Sequence, residues 1–310
     1  NGCEYTSAAF SVGEPVLLSI QTIVVTDVDC NGAATGAINV IANGGTAPYT
    51  YEWNNGSTDE DLAGVEAGTY SVTVTDVNGC MFTTDDIEVA EPDALSVSSA
   101  TITDNDCNGD ALGAIDIEVE GGTTDYDYLW SNGSVDQDIT NLVAGDYTVT
   151  ITDANGCELV ETYTVGEPDA IAEADAPAVT DVLCAGDANG EITVSLEGGT
   201  SPYTVTWSTG FIGETISGVA AGTYSYSVED ANGCTFSSDD IEVGSPDSLK
   251  VTGTATDIAC LGDMSGSIDI DVTGGTAPYD FAWSNGATSE DVTGLDTADY
   301  AVTITDANGC

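Results

Sequence analysis

Hydrophobic and polar residues alternate along this chain with a period of two, in short runs separated by Gly, Asn, Asp and Pro. The stretch from Asp93 to Asp169 shows the pattern well. Residues 95–104 are rich in Ser, Thr, Val and Ile with partial alternation. Residues 114–120 alternate strictly, so that successive side chains point to opposite faces of a half-buried antiparallel strand. Gly121 and Gly122 break that run. Strands are expected again at Tyr126–Trp130 and, after the turn Ser131-Asn-Gly133, at residues 137–142. Residues 147–152 (Tyr-Thr-Val-Thr-Ile-Thr) alternate once more and run into Asp153-Ala-Asn-Gly156, a hairpin turn whose Asn and Gly tolerate positive φ. Glu158–Val165 returns, and Gly166-Glu-Pro168 stops it. Six or seven short strands with frequent turn signals and no helical period predict a β-sandwich.

This unit occurs four times. The tripeptide Asn-Gly-Cys ends at Cys3, Cys80, Cys157, Cys234 and Cys310, in steps of 77, 77, 77 and 76. Cys30, Cys107, Cys184 and Cys260 keep the same steps, as do Trp53, Trp130, Trp207 and Trp283. Three markers in one phase mean tandem copies of one module. Boundaries are expected at the Pro-containing joints Glu14-Pro15, Glu91-Pro92-Asp93, Glu167-Pro168-Asp169 and Ser245-Pro246-Asp247. They divide the chain into the last strand of a preceding copy (1–15), three sandwiches (16–92, 93–169, 170–246) and a fourth without its last strand (247–310). The joints contain no flexible Gly/Ser stretch, so neighbours should sit at similar angles and form an elongated rod. A strand of about ten residues spans roughly 33 Å, and four modules on the order of 150 Å.

Because the chain opens and closes at one phase of the repeat, it is expected to be a window of a longer array, with any export signal or anchor outside it. Read instead as a subunit, residues 4–14 of one chain would complete the last domain of a neighbour by strand addition.

Charge removes whole classes of partner. With 54 Asp and Glu, one basic residue (Lys250) and no His, the formal net charge is -53. A polyanion of this density repels nucleic acid and anionic membranes, whose binding relies on Lys and Arg. No apolar run is long enough to insert directly into a membrane as a helix. The 41% hydrophobic content, in ordered alternation, predicts a folded rather than a disordered chain.

Cys30-Asn-Gly, Gly36-Ala-Ile-Asn-Val, Gly44-Gly-Thr-Ala-Pro-Tyr49, Trp53, Gly68-Thr-Tyr70 and Val72-Thr-Val-Thr-Asp-Val-Asn-Gly-Cys80 together resemble the SprB-type repeat of giant surface adhesins of gliding bacteria. Its sandwich is similar to PKD and immunoglobulin-like modules. The resemblance runs through every copy, with departures at Thr124-Asp125-Tyr126 and Ala298-Asp299-Tyr300. It implies export through type IX secretion, a bacterial cell-surface location and a role in adhesion or gliding motility. It implies no catalytic residues.

Nine cysteines at fixed phase suggest an oxidising, extracellular setting. Without His or a Cys-x-x-Cys pair, thiolate metal sites are not expected. Pairing within each copy (Cys30–Cys80, Cys107–Cys157, Cys184–Cys234, Cys260–Cys310) is the expectation, since it leaves only Cys3 over. The alternative is a staple between successive copies: Cys30–Cys157, Cys107–Cys234 and Cys184–Cys310. It follows if the two cysteine loops lie at opposite ends of an immunoglobulin-like module.

The loops holding Asp27, Asp29 and Asn31, and Asp104, Asp106 and Asn108, look like the start of a calcium loop, with oxygen ligands around a Gly turn. They lack the acidic twelfth position of an EF-hand, and copies three and four lose the second Asp. Turn and solvated-loop roles are the competing reading. Asp247-Ser-Leu249 and Asp296-Thr-Ala298 fit a short O-glycosylation pattern, at Ser248 and Thr297.

The Trp and Tyr series are expected to fill the space between sheets, with the Tyr hydroxyl closing a corner. A sugar-binding aromatic platform is the alternative. Almost every acid recurs at the repeat phase, which argues against one unique acid–base pair. The expected function is therefore a non-enzymatic extracellular stalk of an adhesin or surface filament. Its partners are neighbouring repeats and, in a filament, other copies. A module contacting surface polysaccharide is the alternative. No cofactor is required beyond the calcium considered above.

Overall fold

The computed structural model describes residues 2–310, and among these it is all-β, with no helix. Among the described residues, no helix is long and apolar enough to cross a membrane. The chain divides into two compact units, Asn1–Asp104 with Ala111–Gly166, and Asn105–Asp110 with Glu167–Cys310.

In the first unit, two copies each build two small antiparallel sheets. Copy two pairs Ser96–Thr103, Gly113–Glu120 and Ile139–Leu142 in one sheet, and Tyr126–Trp130, Gly145–Asp153 and Glu158–Val165 in the other. Copy one repeats this with Ser19–Thr26, Gly36–Asn43 and Leu62–Val65 facing Tyr49–Trp53, Val72–Asp76 and Met81–Thr83. There the long final hairpin breaks, and its distal part becomes a separate pair, Gly68–Tyr70 with Ile87–Val89.

The second unit holds two further copies. The third follows the plan of the first, with Gly222–Tyr224 paired to Ile241–Val243. In the fourth, Lys250–Thr256, Gly266–Thr273 and Val292–Leu295 form one sheet, and Asp280–Trp283 pairs only with Val302–Thr305 in the other.

The alternation decides which side chains enter the core. In Gly113–Glu120, Ile115 and Ile117 are fully buried while Asp116 and Glu118 face outward or lie at the edge. In Gly145–Asp153, Tyr147, Val149 and Ile151 enter the core and Thr148, Thr150 and Thr152 do not. Each copy has its own cluster of buried residues, four in all among the described residues, centred on Trp53, Trp130, Trp207 and Trp283. The first strand of each copy is an exposed sheet edge. Ser19–Thr26 leaves Ile23, Val24 and Val25 accessible, which explains why its alternation is only partial.

The four Trp are 1–6% exposed and each donates its indole N–H to a main-chain carbonyl, of Asp59, Asp136, Gly213 and Ser289 respectively, at 2.8–2.9 Å. They are core residues and form no sugar platform. Tyr70, Tyr147, Tyr224 and Tyr300 donate their hydroxyls to the carbonyl four residues upstream, at 2.8–3.2 Å, which closes the corner expected of an immunoglobulin-like sandwich. The Gly-Gly break has a steric cause. Gly121 has φ +75°, and a Cβ there would overlap the carbonyl oxygen of Ala94.

Candidate functional site: the disulfide junctions

The junctions grow from two loops at opposite ends of each sandwich. In copy one the Cys30 loop connects Ser19–Thr26 to Gly36–Asn43, and Val28 donates its backbone N–H to the carbonyl of Ala90. The Asn-Gly-Cys80 turn lies beyond the other end of Gly36–Asn43, where Asp76 accepts the N–H of Thr46. Eight residues of strand, about 27 Å at the usual rise, separate the two ends. A disulfide requires Cα atoms within about 7 Å. The pairing within each copy is therefore corrected: Cys30–Cys80, Cys107–Cys157, Cys184–Cys234 and Cys260–Cys310 do not form.

The bonds instead join successive copies: Cys30–Cys157, Cys107–Cys234 and Cys184–Cys310, with Cα–Cα distances of 5.7, 5.5 and 5.7 Å. Cys3, Cys80 and Cys260 are free and exposed. Each bond lies wholly within one compact unit, because the loop Asn105–Asp110 belongs with the second.

Around each bond the same atoms recur. Asn155 donates its side-chain amide to the carbonyl of Asp29 at 2.9 Å, Asn232 to that of Asp106 at 3.1 Å, and Asn308 to that of Leu183 at 3.0 Å. The same amides also reach Thr123, Thr200 and Thr276, at 3.1–3.2 Å. The Asn of Asn-Gly-Cys thus clamps the neighbouring copy beside the sulfur bridge, a role the sequence reading gave only to a turn. The signal was present in the sequence. A hairpin needs Asn or Gly at this point, but nothing in a turn alone needs Asn and Cys together five times.

The calcium candidates occupy the other half of the junction. Asp27 and Asp104 accept the backbone N–H of Ala90 and Gly166, at 3.0 and 2.7 Å. Asn31 and Asn108 donate to the carbonyls of Pro92 and Pro168, at 3.0 and 3.1 Å. Glu91 and Glu167 accept the N–H of Gly32 and Gly109, at 2.6 and 2.7 Å. Asp29 and Asp106 take part through their main-chain oxygens. These groups fasten the cysteine loop to the Glu-Pro joint. Among the described residues, no three His, Cys, Asp or Glu side chains converge as a metal cluster. Ser248 and Thr297 are both exposed.

Buried acids that the sequence reading did not single out hold the Asn-Gly-Cys turns. Asp76, Asp153, Asp230 and Asp306 are 4–6% exposed. In each, one carboxylate oxygen accepts the N–H groups of the turn Asn and Cys, and the other accepts the N–H of Thr46, Thr123, Thr200 or Thr276, all at 2.8–2.9 Å. The N–H of Cys80 and Cys310 is the chief reason that Asp76 and Asp306 ionise below the usual carboxylate range. At Asp153 and Asp230, burial opposes ionisation, but the surrounding backbone N–H groups outweigh it and lower these values too.

Folding thus favours the charged form. The stabilisation is present above the unfolded carboxylate value of about 3.9 and is lost as pH falls through the lower folded value. Melting temperature, followed from pH 5 to 2 at constant ionic strength, should fall most steeply below about pH 4. A melting temperature that keeps rising to pH 2, as relief of net charge alone would give, contradicts this.

An all-β chain with immunoglobulin-like sandwiches in tandem, successive copies cross-linked, is a repeat protein whose repeated feature is the junction. The SprB repeat family model matches this chain at four positions, residues 22–58, 99–135, 176–210 and 252–288. No curated protein matches the sequence.

Three solved structures similar to it are distant in sequence. A three-domain immunoglobulin segment of titin shares 14% identity, with 72% of this chain and 96% of that chain covered and a TM-score of 0.35. The N-terminal eight immunoglobulin domains of Down Syndrome Cell Adhesion Molecule share 14%, with 89% and 42% covered and a TM-score of 0.29. Domains 4–9 of the surface layer protein SbsC share 16%, with 89% and 54% covered and a TM-score of 0.21.

Proposed function

We propose that this chain is a stretch of an extracellular, non-catalytic structural array, the stalk of a bacterial cell-surface adhesin or surface filament serving adhesion or gliding motility. In this reading the modules are 16–92, 93–169, 170–246 and 247–310, and they form an elongated rod. One observation carries it: the disulfide and the Asn clamp recur at each of the three junctions between successive copies, and the Glu-Pro joint at the first two. Chemistry repeated in this way suits load-bearing and fixed spacing. Three structural disulfides in an acidic chain favour an oxidising compartment.

The polysaccharide alternative loses its main support because the Trp series is buried. Calcium is given no site in this reading, because Asp27 and Asp104 already serve the loop backbone. The expected result is that millimolar calcium raises the melting temperature no further than sodium at matched ionic strength. A calcium-specific rise that disappears in Asp104→Asn would restore the metal reading.

The array itself is tested by electron microscopy of single particles. Uniform rods on the order of 150 Å long, unchanged by polysaccharide, are expected. Particles with scattered angles between modules, or tryptophan fluorescence that responds to polysaccharide, would count against it.

A further inference from the structure

The third repeat departs from the other three at two positions joined by a hydrogen bond. The residue paired with the core Trp is Val72, Val149 and Val302 in repeats one, two and four, and Tyr226 in repeat three. On the first strand, the residues paired with Ala42, Val119 and Val272 are Ile20, Val97 and Val251, whereas Leu196 is paired with Glu173. Two aliphatic positions thus become polar together, in one repeat. Tyr226 is 3% exposed and donates its hydroxyl to Glu173 Oε1 at 2.6 Å. Burial, and then this bond, push the hydroxyl above its usual range, so it stays protonated and Glu173 accepts.

The backbone changes at the same place. The first strand, Ala172–Thr180, shifts register between Asp175 and Ala178, an irregularity that Ser19–Thr26, Ser96–Thr103 and Lys250–Thr256 do not have. Pro177 lies within it and has no N–H to give the ladder. Beside this bulge is a cleft of about 330 Å³, lined by Glu173, Pro177, Phe236, Asp239, Asp240 and Ile241. All six residues belong to one compact unit.

The chemistry of the cleft defines what it takes. Glu173 spends only Oε1 on the protein: among the described residues, no donor reaches Oε2. The chain has one basic residue, Lys250, on a strand of the fourth repeat, so a cation for this carboxylate comes from outside the repeat. No three acidic side chains converge as a metal cluster among the described residues. One half-buried carboxylate beside Phe236, Pro177 and Ile241 suits instead an ammonium carried on an alkyl chain. Its charge meets Glu173 and the aromatic ring, and its methylenes cover the apolar wall. Asp239 and Asp240, both exposed, add attraction at the rim.

We propose that the cleft of the third repeat binds an alkylammonium group, the head of a lysine side chain or of a short free diamine, as an ion pair with Glu173 Oε2. This goes beyond the stalk reading and does not rest on it, because a chain that binds no amine keeps its cross-linked junctions.

The test is isothermal titration of the full 310-residue chain in sodium chloride at about 0.15 M, where diffuse attraction to the polyanion is largely screened. The probes are N-acetyl-lysinamide and, separately, 1,5-diaminopentane. Saturable binding of one equivalent per chain is expected. Saturation by the lysine derivative identifies a protein side chain as the occupant, and saturation by the diamine alone identifies a free amine. Glu173→Gln keeps the size of the side chain and an acceptor for Tyr226, and should weaken binding at least about tenfold. Asp240→Asn, at an exposed position that leaves the core untouched, should weaken it about threefold and decides the matter if Glu173→Gln melts lower than the parent. Glu118→Gln, on the exposed face of the second repeat, should change nothing. Heat that never saturates, several weak equivalents per chain, or equal losses from Glu118→Gln and the cleft variants would each overturn the proposal and leave only screening of net charge.

Discussion

Replacing Cys30 and Cys157 together by Ser should lower the stability of the first two repeats by about 5 kcal/mol, because the bond closes a separation of 127 residues. That figure follows from the loop entropy removed from the unfolded chain, which grows only as the logarithm of separation. Denaturant unfolding with and without the pair measures it directly. Reducing all three bonds should also divide a cooperative transition into several, since each copy has its own core and the covalent links are what couple neighbouring copies. A reductant that leaves both midpoint and cooperativity unchanged would contradict the coupling. Peptide mapping of the unreduced chain provides the sharper check. The fragment containing Cys30 should carry the mass of the one containing Cys157, and finding it joined to Cys80 would refute the junction.

Trp130→Ala should cost about 3–5 kcal/mol, the usual range for removing a large aromatic from a well-packed core. Trp130 is 1% exposed and has Tyr163 at a ring-centroid distance of 6.2 Å. Its removal also leaves the carbonyl of Asp136 without its indole donor. A module of this size has little stability in reserve, so the second repeat should be partly unfolded at room temperature. The neighbouring Leu129→Ala is the control. Leu129 is 58% exposed, on the opposite face of the same strand, and its loss should change stability by no more than about 0.5 kcal/mol. Equal effects at the two positions would mean that the strand's alternation does not define the core.

Much of one repeat could be read before any coordinates. Tyr126–Trp130 and Glu158–Val165 lie where the alternation places them, and residues 114–120 fall within Gly113–Glu120. Strict period-two burial on one face leaves little freedom of register. Boundaries were less certain where polar residues flank a strand: residues 137–142 shorten to Ile139–Leu142 because Asp138 turns to accept the N–H of Ile117. The buried Asp153 was legible only as a turn residue. Asp is common in turns for local reasons, and nothing nearby in sequence shows that the Thr123 N–H comes to meet it.

The sequence by itself determined the strands, the four copies and the aromatic cores, because each depends on local alternation or on repetition. Only the tertiary structure decided which cysteines meet. Spacing along the chain favoured partners 50 residues apart, but a strand about 27 Å long holds them at opposite ends of the module, and the bonds instead join cysteines 127 apart in successive copies.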